Sequence, residues 1–268
     1  MPAERWLAAA AWLGEHALAA YAVTLVALLL AAWAGWAAWG QVGRVRDDLS
    51  PPAGLLLNLV AGFGIVAAGA TGFAEIAEQL GPGGTMARVD DALSAAIGTH
   101  VGADTLHAFT LMTQLGDALV LSALGVVFAI GLWWRHQRSL ALAWVLALAG
   151  NALLNPTLKR IFERIRPVHE HGLVSEAGWS FPSGHTSGAT VAYGMLAFVA
   201  IRTLPPRWHL PAVLGATGLA YTVGSSRVFL QVHFASDVAA GFASGGAWLM
   251  VCVVSIVLSE RWRLARLP

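Results

Sequence analysis

Three short polar segments stand out in a chain whose composition is otherwise strongly apolar. They run over residues 159–167, 180–187 and 226–237. Their lysine, arginine, histidine and aspartate side chains are the types that bind anions and transfer protons. An apolar chain carries ionisable groups only at a cost, so each of these side chains is a candidate for a functional role.

The first segment, 159–167, places two cations at a helical repeat. Lys159 and Arg166 are seven residues apart, which is two helical turns, so a helix that continues as far as Pro167 would present both on one face. Arginine offers a planar fork and lysine a compact charge, a combination that suits a phosphate group. Taken alone, the segment is better explained as the basic flank of a membrane span.

The second segment, 180–187, predicts the start of a helix. Ser183 follows Pro182 and is predicted to cap the helix, while Gly184 lets a ligand approach the backbone closely. Free N–H groups and the helix dipole at such a terminus attract an anion. His185 lies in the first turn, where it can exchange a proton near neutral pH. An ordinary capped helix with an interfacial histidine explains the same residues equally well.

The third segment, 226–237, pairs a histidine with an acid. His233 and Asp237 are four residues apart, so they are predicted to be neighbours on one helical face. A carboxylate beside an imidazole fixes its tautomer and stabilises its charged form, which leaves the other ring nitrogen free to attack. Arg227 adds a second fork for phosphate. The alternative is a buried histidine–aspartate pair in which each side chain only satisfies the hydrogen bonding of the other and neither has a catalytic role.

The composition limits the class of protein. Of 268 residues, 57% are hydrophobic and only 12% are charged, which is about half the usual charged fraction of a soluble domain. An ordinary soluble protein, a disordered chain and a disulfide scaffold are excluded. The net charge of +1 gives no sign of a nucleic-acid partner. The single cysteine and the lack of a His-Glu-x-x-His pattern give no sign of a metal site. The chain is predicted to be a polytopic membrane protein.

An all-α bundle of transmembrane helices must then position the polar segments, because a helix satisfies its own backbone hydrogen bonds in lipid. A span needs about 20 largely apolar residues, and seven stretches qualify: 17–40, 55–74, 117–134, 139–158, 185–201, 210–225 and 236–258. Residues 75–116 show helical spacing of apolar residues and are predicted to form one or two amphipathic helices at the interface. A packing lid explains this segment better than a substrate-binding role.

Basic residues in the connecting turns predict the orientation. If the seven spans alternate, nine arginines fall on the same side of the membrane: Arg44, Arg46, Arg135, Arg138, Arg202, Arg207, Arg261, Arg263 and Arg266. The positive-inside rule makes this side cytoplasmic. The N-terminus and all three polar segments then lie on the outer side.

The order of the polar residues resembles the pattern of a known family. The succession K-x6-R-P, P-S-G-H and S-R-x5-H-x3-D is similar to the three signature motifs of the type 2 phosphatidic acid phosphatase family. The sequence also resembles the bacterial membrane branch of that family, which includes phosphatidylglycerophosphate and undecaprenyl-diphosphate phosphatases. The resemblance implies a six-span phosphatase core over residues 55–260. It leaves 1–54 as an additional N-terminal transmembrane segment and 261–268 as a basic cytoplasmic tail.

The resemblance implies an integral membrane lipid phosphatase that hydrolyses a phosphate monoester or diphosphate of a lipid, of the undecaprenyl diphosphate, phosphatidylglycerophosphate or phosphatidic acid type. It implies a phosphohistidine intermediate on His233, with Asp237 orienting that ring and His185 acting as acid and then base. The phosphate ligands that it implies are Lys159, Arg166, Ser183, Gly184 and Arg227. No metal or other cofactor is implied. The partners are the lipid phosphate and the bilayer, at the outer face of a bacterial plasma membrane.

Two alternatives stay open. A vanadate-binding, haloperoxidase-like enzyme would use a similar set of residues, although such relatives are soluble. A non-catalytic phospholipid-binding membrane protein would keep the phosphate site without turnover.

The remaining polar and aromatic residues near the motifs are predicted to have ordinary roles. Glu163 and Arg164 are expected to form a local ion pair. Trp179 and Phe181 are expected to anchor at the membrane interface, which is the commoner role for such residues, and contact with an acyl or prenyl chain is the alternative. Solvation is the commoner role for the other loop residues, and contact with a headgroup or an effect on neighbouring pKa values is the alternative: His169, Glu170, His171 and Glu176.

Overall fold

The structure, a computed structural model, describes residues 2–47, 51–80, 84–168 and 172–264. Outside these residues lie four that the sequence analysis singled out, namely His169, Glu170, His171 and Arg266. Every regular element in the described ranges is helical, and the α-helices are α1 (Pro2–Glu15), α2 (Ala17–Asp47), α3 (Pro51–Glu78), α4 (Thr85–His100), α5 (Ala103–Thr113), α6 (Ala118–Trp134), α7 (Arg138–Phe162), α8 (Gly184–Thr203), α9 (His209–Phe229) and α10 (Ala235–Leu264).

Helices stand at all seven of the predicted spans. Within the described ranges, four are long and apolar enough to cross a membrane singly: Ala17–Gln41, Gly54–Glu78, Arg138–Phe162 and Ala235–Glu260. A fifth span results if Ala103–Gly116 and Ala118–Trp134, which meet at 42°, are counted together. The prediction of an all-helical membrane protein is confirmed.

The helices α8 and α9 are not among the four that are long and apolar enough to cross a membrane singly. α8 packs on α7, α9 and α10, and its buried face includes Thr186 and Ser187. A helix surrounded by other helices has little contact with lipid, so it accommodates small and polar residues at its contacts. Two of the polar segments are therefore carried by the helices that the bundle shields best.

Glycines bring α10 close to α8. A Cβ atom at Gly241 would lie 2.9 Å from the carbonyl oxygen of Ser183, and one at Gly245 would lie 2.9 Å from that of Ser187. Only glycine fits so close an approach, as at small-residue contacts between membrane helices. The contact aligns the first turns of α8 and α10, where the Ser183 N–H donates to the carbonyl of Asp237 at 3.0 Å.

The two N-terminal helices pack against the rest of the bundle. α1 lies on α4, where Gly14 approaches Ala96 so closely that a side chain would not fit. α2 packs on α9, where the hydroxyl oxygens of Tyr21 and Thr222 are 2.9 Å apart. The Tyr21 ring also stacks with Tyr221. These helices therefore support α4 and α9, both of which reach the polar segments.

Residues 75–116 contain two helices in addition to the end of α3, which agrees with the predicted number. α4 packs on α1 and buries Asp90 and Ile97. α5 packs on α9 and buries Phe109 and Thr113. Each helix thus buries a polar side chain as well as an apolar one, and the two polar side chains have partners in the polar segments.

The basic turns lie at the opposite end of the bundle from the polar segments. Arg135 and Arg138 lie where α6 ends and α7 begins. Arg202, in the last turn of α8, pairs with Glu260 of α10 at 2.6 Å. Lys159, by contrast, lies in the last turn of α7. The alternation that the orientation prediction assumes is therefore present from α6 to α10.

Candidate active site

The connection between α9 and α10 carries the imidazole of the third segment. His233 lies in this connection, where its N–H donates to the carbonyl of Arg227 at 3.2 Å. Asp237 lies in the first turn of α10, which begins at Ala235. The predicted shared helical face is therefore wrong, because His233 precedes the helix. The two side chains still meet, with 3.4 Å between His233 Nδ1 and Asp237 Oδ2.

Asp237 is fully buried and is held by several donors. Its Oδ2 accepts from the Ser180 hydroxyl at 2.5 Å and from the Phe234 N–H at 2.9 Å. Its Oδ1 accepts from Arg164 Nη1 at 2.6 Å. Ser180 Oγ also lies 3.2 Å from His233 Nδ1, so it joins the acid to the imidazole. Sequence reasoning assigned this serine no role, although it opens the second segment.

The second ring nitrogen of His233 faces a cation. Arg166 Nη1 lies 3.0 Å from Nε2. An arginine only donates, so Nε2 accepts and the proton of the neutral ring lies on Nδ1. Burial lowers the pKa of His233 to about 3, although Asp237 acts in the opposite direction. The ring is therefore neutral at physiological pH and keeps a lone pair on Nε2, as a nucleophile requires.

Lys159 and Arg166 converge, but not along a helix. α7 ends at Phe162, and Glu163 has a left-handed conformation with φ 44° and ψ 36°. The predicted helical face shared by the two cations is therefore wrong, because the chain turns before Arg166. Both cations nevertheless donate to the carbonyl of Trp179, Lys159 Nζ at 2.6 Å and Arg166 Nη2 at 3.2 Å.

Arg166 joins the loop before α8 to the connection before α10. Its Nε and Nη2 donate to the carbonyls of Gly178 and Ala177 at 3.0 and 3.3 Å. Its Nη1 donates to the carbonyl of Val232 at 2.7 Å. These bonds hold the guanidinium beside the neighbouring His233.

Arg227 is fully buried near the C-terminal end of α9. Its Nη1 donates to the Thr113 hydroxyl at 2.6 Å, and its Nη2 donates to the Glu176 carboxylate. Its Nε has no hydrogen-bond partner among the described residues, which is uncommon for a buried N–H group. The prediction that Glu176 is merely solvated is wrong, because this carboxylate is the counter-ion of Arg227. Burial acts to raise the pKa of Glu176, but Arg227, His185 and Arg166 together outweigh it and hold the pKa below its ordinary value.

The start of α8 forms as predicted. Ser183 caps the helix, because its hydroxyl oxygen accepts from the Thr186 N–H at 3.4 Å and from the Thr186 hydroxyl at 2.9 Å. A Cβ atom at Gly184 would lie 3.0 Å from Asn155 Oδ1 of α7, so this glycine allows a close approach of two helices. His185 lies in the first turn and lines a large cavity.

His185 lies where the charged residues meet this cavity. The charged groups close enough to act on its ring are those of Arg227, Glu176, Asp117 and Lys159. Lys159 belongs to the first segment, His185 to the second and Arg227 to the third. All three polar segments therefore converge on one region at one end of the bundle.

A buried ion pair that residue spacing does not predict supports Asp237. Arg164 Nη1 donates to Asp237, and its Nη2 donates to Asp90 Oδ2 at 2.8 Å. The predicted local pair of Glu163 and Arg164 is wrong, because the turn at Glu163 carries Arg164 into the site. Asp90 belongs to α4 and lies 74 residues earlier in the chain. No local pattern reveals such a contact, and its only sequence signal is a carboxylate in a mostly apolar chain.

The two aromatic residues of the loop have different environments. Phe181 is fully buried and packs against Phe73 and Phe162. The prediction of interfacial anchoring is therefore wrong for Phe181. Trp179 is exposed, and its carbonyl accepts from Lys159.

A cavity of about 820 Å³ extends from His185 between α6 and α7. Away from the charged residues its wall is mainly aliphatic and includes Leu121, Val126, Ile130, Val145, Leu148 and the indole of Trp144. Val126, Ile130 and Val145 are also exposed on the outside of the bundle, so the cavity opens sideways. Along this wall Trp144 Nε1 donates to the carbonyl of Gly125 at 2.8 Å and joins α7 to α6.

The site has the composition of an anion site. In the part of the chain that the structure describes, no group of three or more histidine, cysteine, aspartate or glutamate side chains is arranged to hold a metal ion. Lys159, Arg166 and Arg227 supply three cations beside the two histidines. A neutral imidazole that is backed by a carboxylate and surrounded by cations can attack the phosphorus of a bound phosphate.

Comparison with known proteins gives consistent matches. The family model of the PAP2 superfamily matches residues 140–261. Phosphatidylglycerophosphatase B of Bacillus subtilis is 37% identical over 141 residues, which are 52% of this chain and 69% of that protein. Lipid A 1-phosphatase of Rhizobium etli is 34% identical over 113 residues, 39% of this chain and 45% of that protein. The crystal structure of a transmembrane PAP2-type phosphatidylglycerolphosphate phosphatase from Bacillus subtilis matches with a TM-score of 0.66 and 30% identity, covering 73% of this chain and 96% of that one.

Proposed function

Since this chain belongs to the PAP2 superfamily, as its three signature motifs indicate, we propose that it is a bacterial membrane phosphatase that removes a phosphate group from a lipid. The substrate is a phosphate monoester or a diphosphate of that lipid. One observation carries the proposal. The supported imidazole of His233 and three cations lie beside His185 and Glu176, and these two residues line an apolar cavity between α6 and α7.

Binding of the phosphate begins with an exchange of partners. In the structure Arg227 pairs with Glu176, and Arg166 donates to His233 Nε2. An incoming phosphate replaces both partners, because it offers each guanidinium several strong acceptors. The exchange frees the Nε2 lone pair as phosphorus arrives beside it. The proposed phosphate ligands are Lys159, Arg166, Ser183, Gly184 and Arg227, with the N–H of Gly184 at the N-terminus of α8.

The first half-reaction transfers the phosphoryl group to the protein. Nε2 of His233 attacks phosphorus, the bond from phosphorus to the lipid oxygen breaks, and that oxygen leaves with the electron pair. His185 protonates the leaving oxygen. The Nδ1 proton stays on the ring, where Asp237 and Ser180 stabilise the positive charge that develops on the imidazole.

The second half-reaction releases phosphate. His185 takes a proton from water, and the water oxygen attacks phosphorus. The bond between phosphorus and Nε2 breaks, and its electrons return to the ring of His233. Three cations hold the non-bridging oxygens and stabilise the charge of the transition state throughout, so the proposed cycle contains no metal step.

The cavity between α6 and α7 supports a lipid as the substrate. It joins the charged residues to an aliphatic wall and a sideways opening, which suits a headgroup at the site and a hydrocarbon chain directed towards the membrane. The named relatives from Bacillus subtilis and Rhizobium etli are both phosphatases of lipids. The proposed ligands contact only the phosphate and do not choose among undecaprenyl diphosphate, phosphatidylglycerophosphate and phosphatidic acid.

The proposed location of the site is the outer, periplasmic side of the bacterial plasma membrane. Arg135, Arg138, Arg202 and Arg207 lie in the turns at the other end of the bundle. Basic residues in short loops mark the cytoplasmic side of membrane proteins. This distribution supports the outer side for the residues that converge on His185.

A phosphate-release panel tests the proposed function. The purified protein, in detergent or liposomes, is given undecaprenyl diphosphate, phosphatidylglycerophosphate, phosphatidic acid and a lipid A 1-phosphate, each with and without excess chelator. We expect release from at least one lipid at a rate that the chelator does not change. No release from any of them would favour a non-catalytic binding protein, and peroxidation of bromide in the presence of vanadate would favour a haloperoxidase. An absolute need for a divalent ion would contradict the proposed cycle.

Filling the cavity should separate lipid substrates from small ones. Ala149 lines the cavity, so Ala149→Phe places a ring in the path of the hydrocarbon chain. We expect kcat/KM for a long-chain lipid phosphate to fall by about tenfold or more, while kcat/KM for a short-chain, water-soluble phosphate stays within about twofold. Leu146→Phe is the matched control, because Leu146 is exposed on α7 but is not part of the lining. Equal losses for both substrates would contradict a chain-binding role of the cavity.

A further inference from the structure

A buried cluster of four side chains links the external helix α4 to the acid of the site. Arg164 lies between two carboxylates, with Nη1 at 2.6 Å from Asp237 Oδ1 and Nη2 at 2.8 Å from Asp90 Oδ2. Ser236 completes the cluster, since its hydroxyl lies 2.7 Å from Arg164 Nη1 and bonds to Asp90. Asp90 is only 3% exposed and Asp237 is fully buried.

The directions of these hydrogen bonds define the charge of Asp90. The Ser236 hydroxyl accepts from Arg164 Nη1, so its own proton is donated to Asp90 Oδ2. The Ser236 N–H donates to Asp90 Oδ1 at 3.2 Å. Burial raises the pKa of Asp90, but all three partners donate to it, which fits the carboxylate and not the acid form.

The cluster therefore carries more negative than positive charge. Asp90 and Asp237 contribute two negative charges and Arg164 one positive charge, so one negative charge is left over. His233 is neutral at rest and gains positive charge when its Nε2 bonds to phosphorus. The surplus negative charge of the cluster stabilises the positive charge that develops on His233. The interaction is strong because the cluster is buried, where charges are little screened. Without Asp90, the charge of Arg164 would cancel that of Asp237.

We infer that Asp90 is a positioning residue for the reaction, which acts through Arg164 to orient Asp237 and to keep the charge of that carboxylate available to His233. The inference rests on the proposed function, in which His233 attacks phosphorus. It gives the external segment 75–116 a part in the chemistry without any contact with the phosphate. Among the residues that the structure describes, Asp90 bonds to Arg164 and Ser236 and to none of the proposed phosphate ligands, so its effect should fall on turnover and not on binding.

The test compares Asp90→Asn with Asp91→Asn, an exposed neighbour on the same helix. We expect kcat for Asp90→Asn to fall by about 10- to 100-fold, while KM and the inhibition constant for inorganic phosphate stay within about threefold. The control should match the wild type in all three. A merely structural role would lower the melting temperature and the yield but leave kcat per folded molecule unchanged. Equal kcat values for the two variants would overturn the inference.

A comparison in the Arg164→Gln background tests the inference even if Asp90→Asn does not fold alone. The substitution Asp90→Asn is added to Arg164→Gln, and kcat is compared with that of Arg164→Gln alone. If Asp90 acts through Arg164, its loss should change kcat by less than about threefold in this background. If kcat of the double variant is lower than that of Arg164→Gln by about 10-fold or more, the two losses add. Asp90 would then act independently of Arg164, and the inference would be overturned.

The outcomes distinguish the inference from the function on which it rests. A wild-type protein that releases no phosphate from any lipid, or a His233→Ala variant that remains active, would remove the proposed function. An active wild type, an inactive His233→Ala variant and an unaffected Asp90→Asn variant would remove only the role of Asp90.

Discussion

We expect His233→Ala to abolish phosphate release, with kcat lower by at least about 10,000-fold. The substitution removes the atom that bonds to phosphorus, and no other described side chain offers a neutral imidazole beside Arg166. The three cations remain, so inorganic phosphate should still bind. The measurement is phosphate release at saturating lipid, together with a rapid quench of labelled substrate. The wild type should retain acid-labile, base-stable label on the protein, and the variant should retain none.

A suitable control for this substitution is His107→Ala. His107 is exposed on α5, on the same external segment as Thr113 and Asp90, and it has no part in the proposed cycle. It should retain the activity and the labelling of the wild type. Near-normal turnover of His233→Ala would show that the phosphoryl group is not transferred to this ring.

The second large effect is expected for Asp237→Asn, with kcat lower by about 1,000- to 10,000-fold, as for the loss of the orienting acid in hydrolytic triads. Asp237 accepts bonds from Ser180, Phe234 and Arg164 and faces His233 Nδ1. An asparagine amide cannot accept from all of them, because its NH2 group is itself a donor. The ring then loses both its fixed tautomer and the charge that stabilises its cationic form.

The measurement for Asp237→Asn is kcat alongside the inhibition constant for inorganic phosphate. The inhibition constant should change by less than about fivefold, since the acid lies behind the imidazole and not among the phosphate ligands. Asp91→Asn serves again as the exposed carboxylate control. A loss confined to KM, with kcat unchanged, would contradict the assigned role of Asp237.

The sequence carried enough information to predict the helices and the convergence of the motifs. Long apolar stretches predict α2, α3, α6 and α7, because a chain that crosses lipid must satisfy its own backbone hydrogen bonds and does so as a helix. The cap at Ser183 was predictable because Pro182, Ser183 and Gly184 are local signals of a helix start. The spacing of four residues correctly predicted that His233 and Asp237 are in contact. It did not predict how, because two residues at this spacing can meet across a short connection as well as on one helical turn.

The contacts that the sequence did not reveal are all between distant residues or depend on a change of chain direction. α7 ends at Phe162, although no glycine or proline stands between Pro156, which lies inside the helix, and Pro167. The direction of the chain after Glu163 then decides where Arg164 points. The pairs Arg164–Asp90 and Arg227–Glu176 join different elements, so only packing brings them together. In a helical bundle of this kind, an isolated charged residue in the sequence indicates that it has a partner of opposite charge. The sequence does not show which residue that partner is.

In the proposed function the cavity holds the first part of the hydrocarbon chain, and the bond between Trp144 and Gly125 joins α7 to α6 along its wall. Along α7 the cavity runs from Pro156 to Trp144, which is a rise of about 18 Å. A hydrocarbon chain longer than this extends into the surrounding membrane. There both acyl and polyprenyl chains are surrounded by lipid. We therefore expect any preference between such lipids to depend on the shape and charge of the headgroup, next to Asp117 and Glu176.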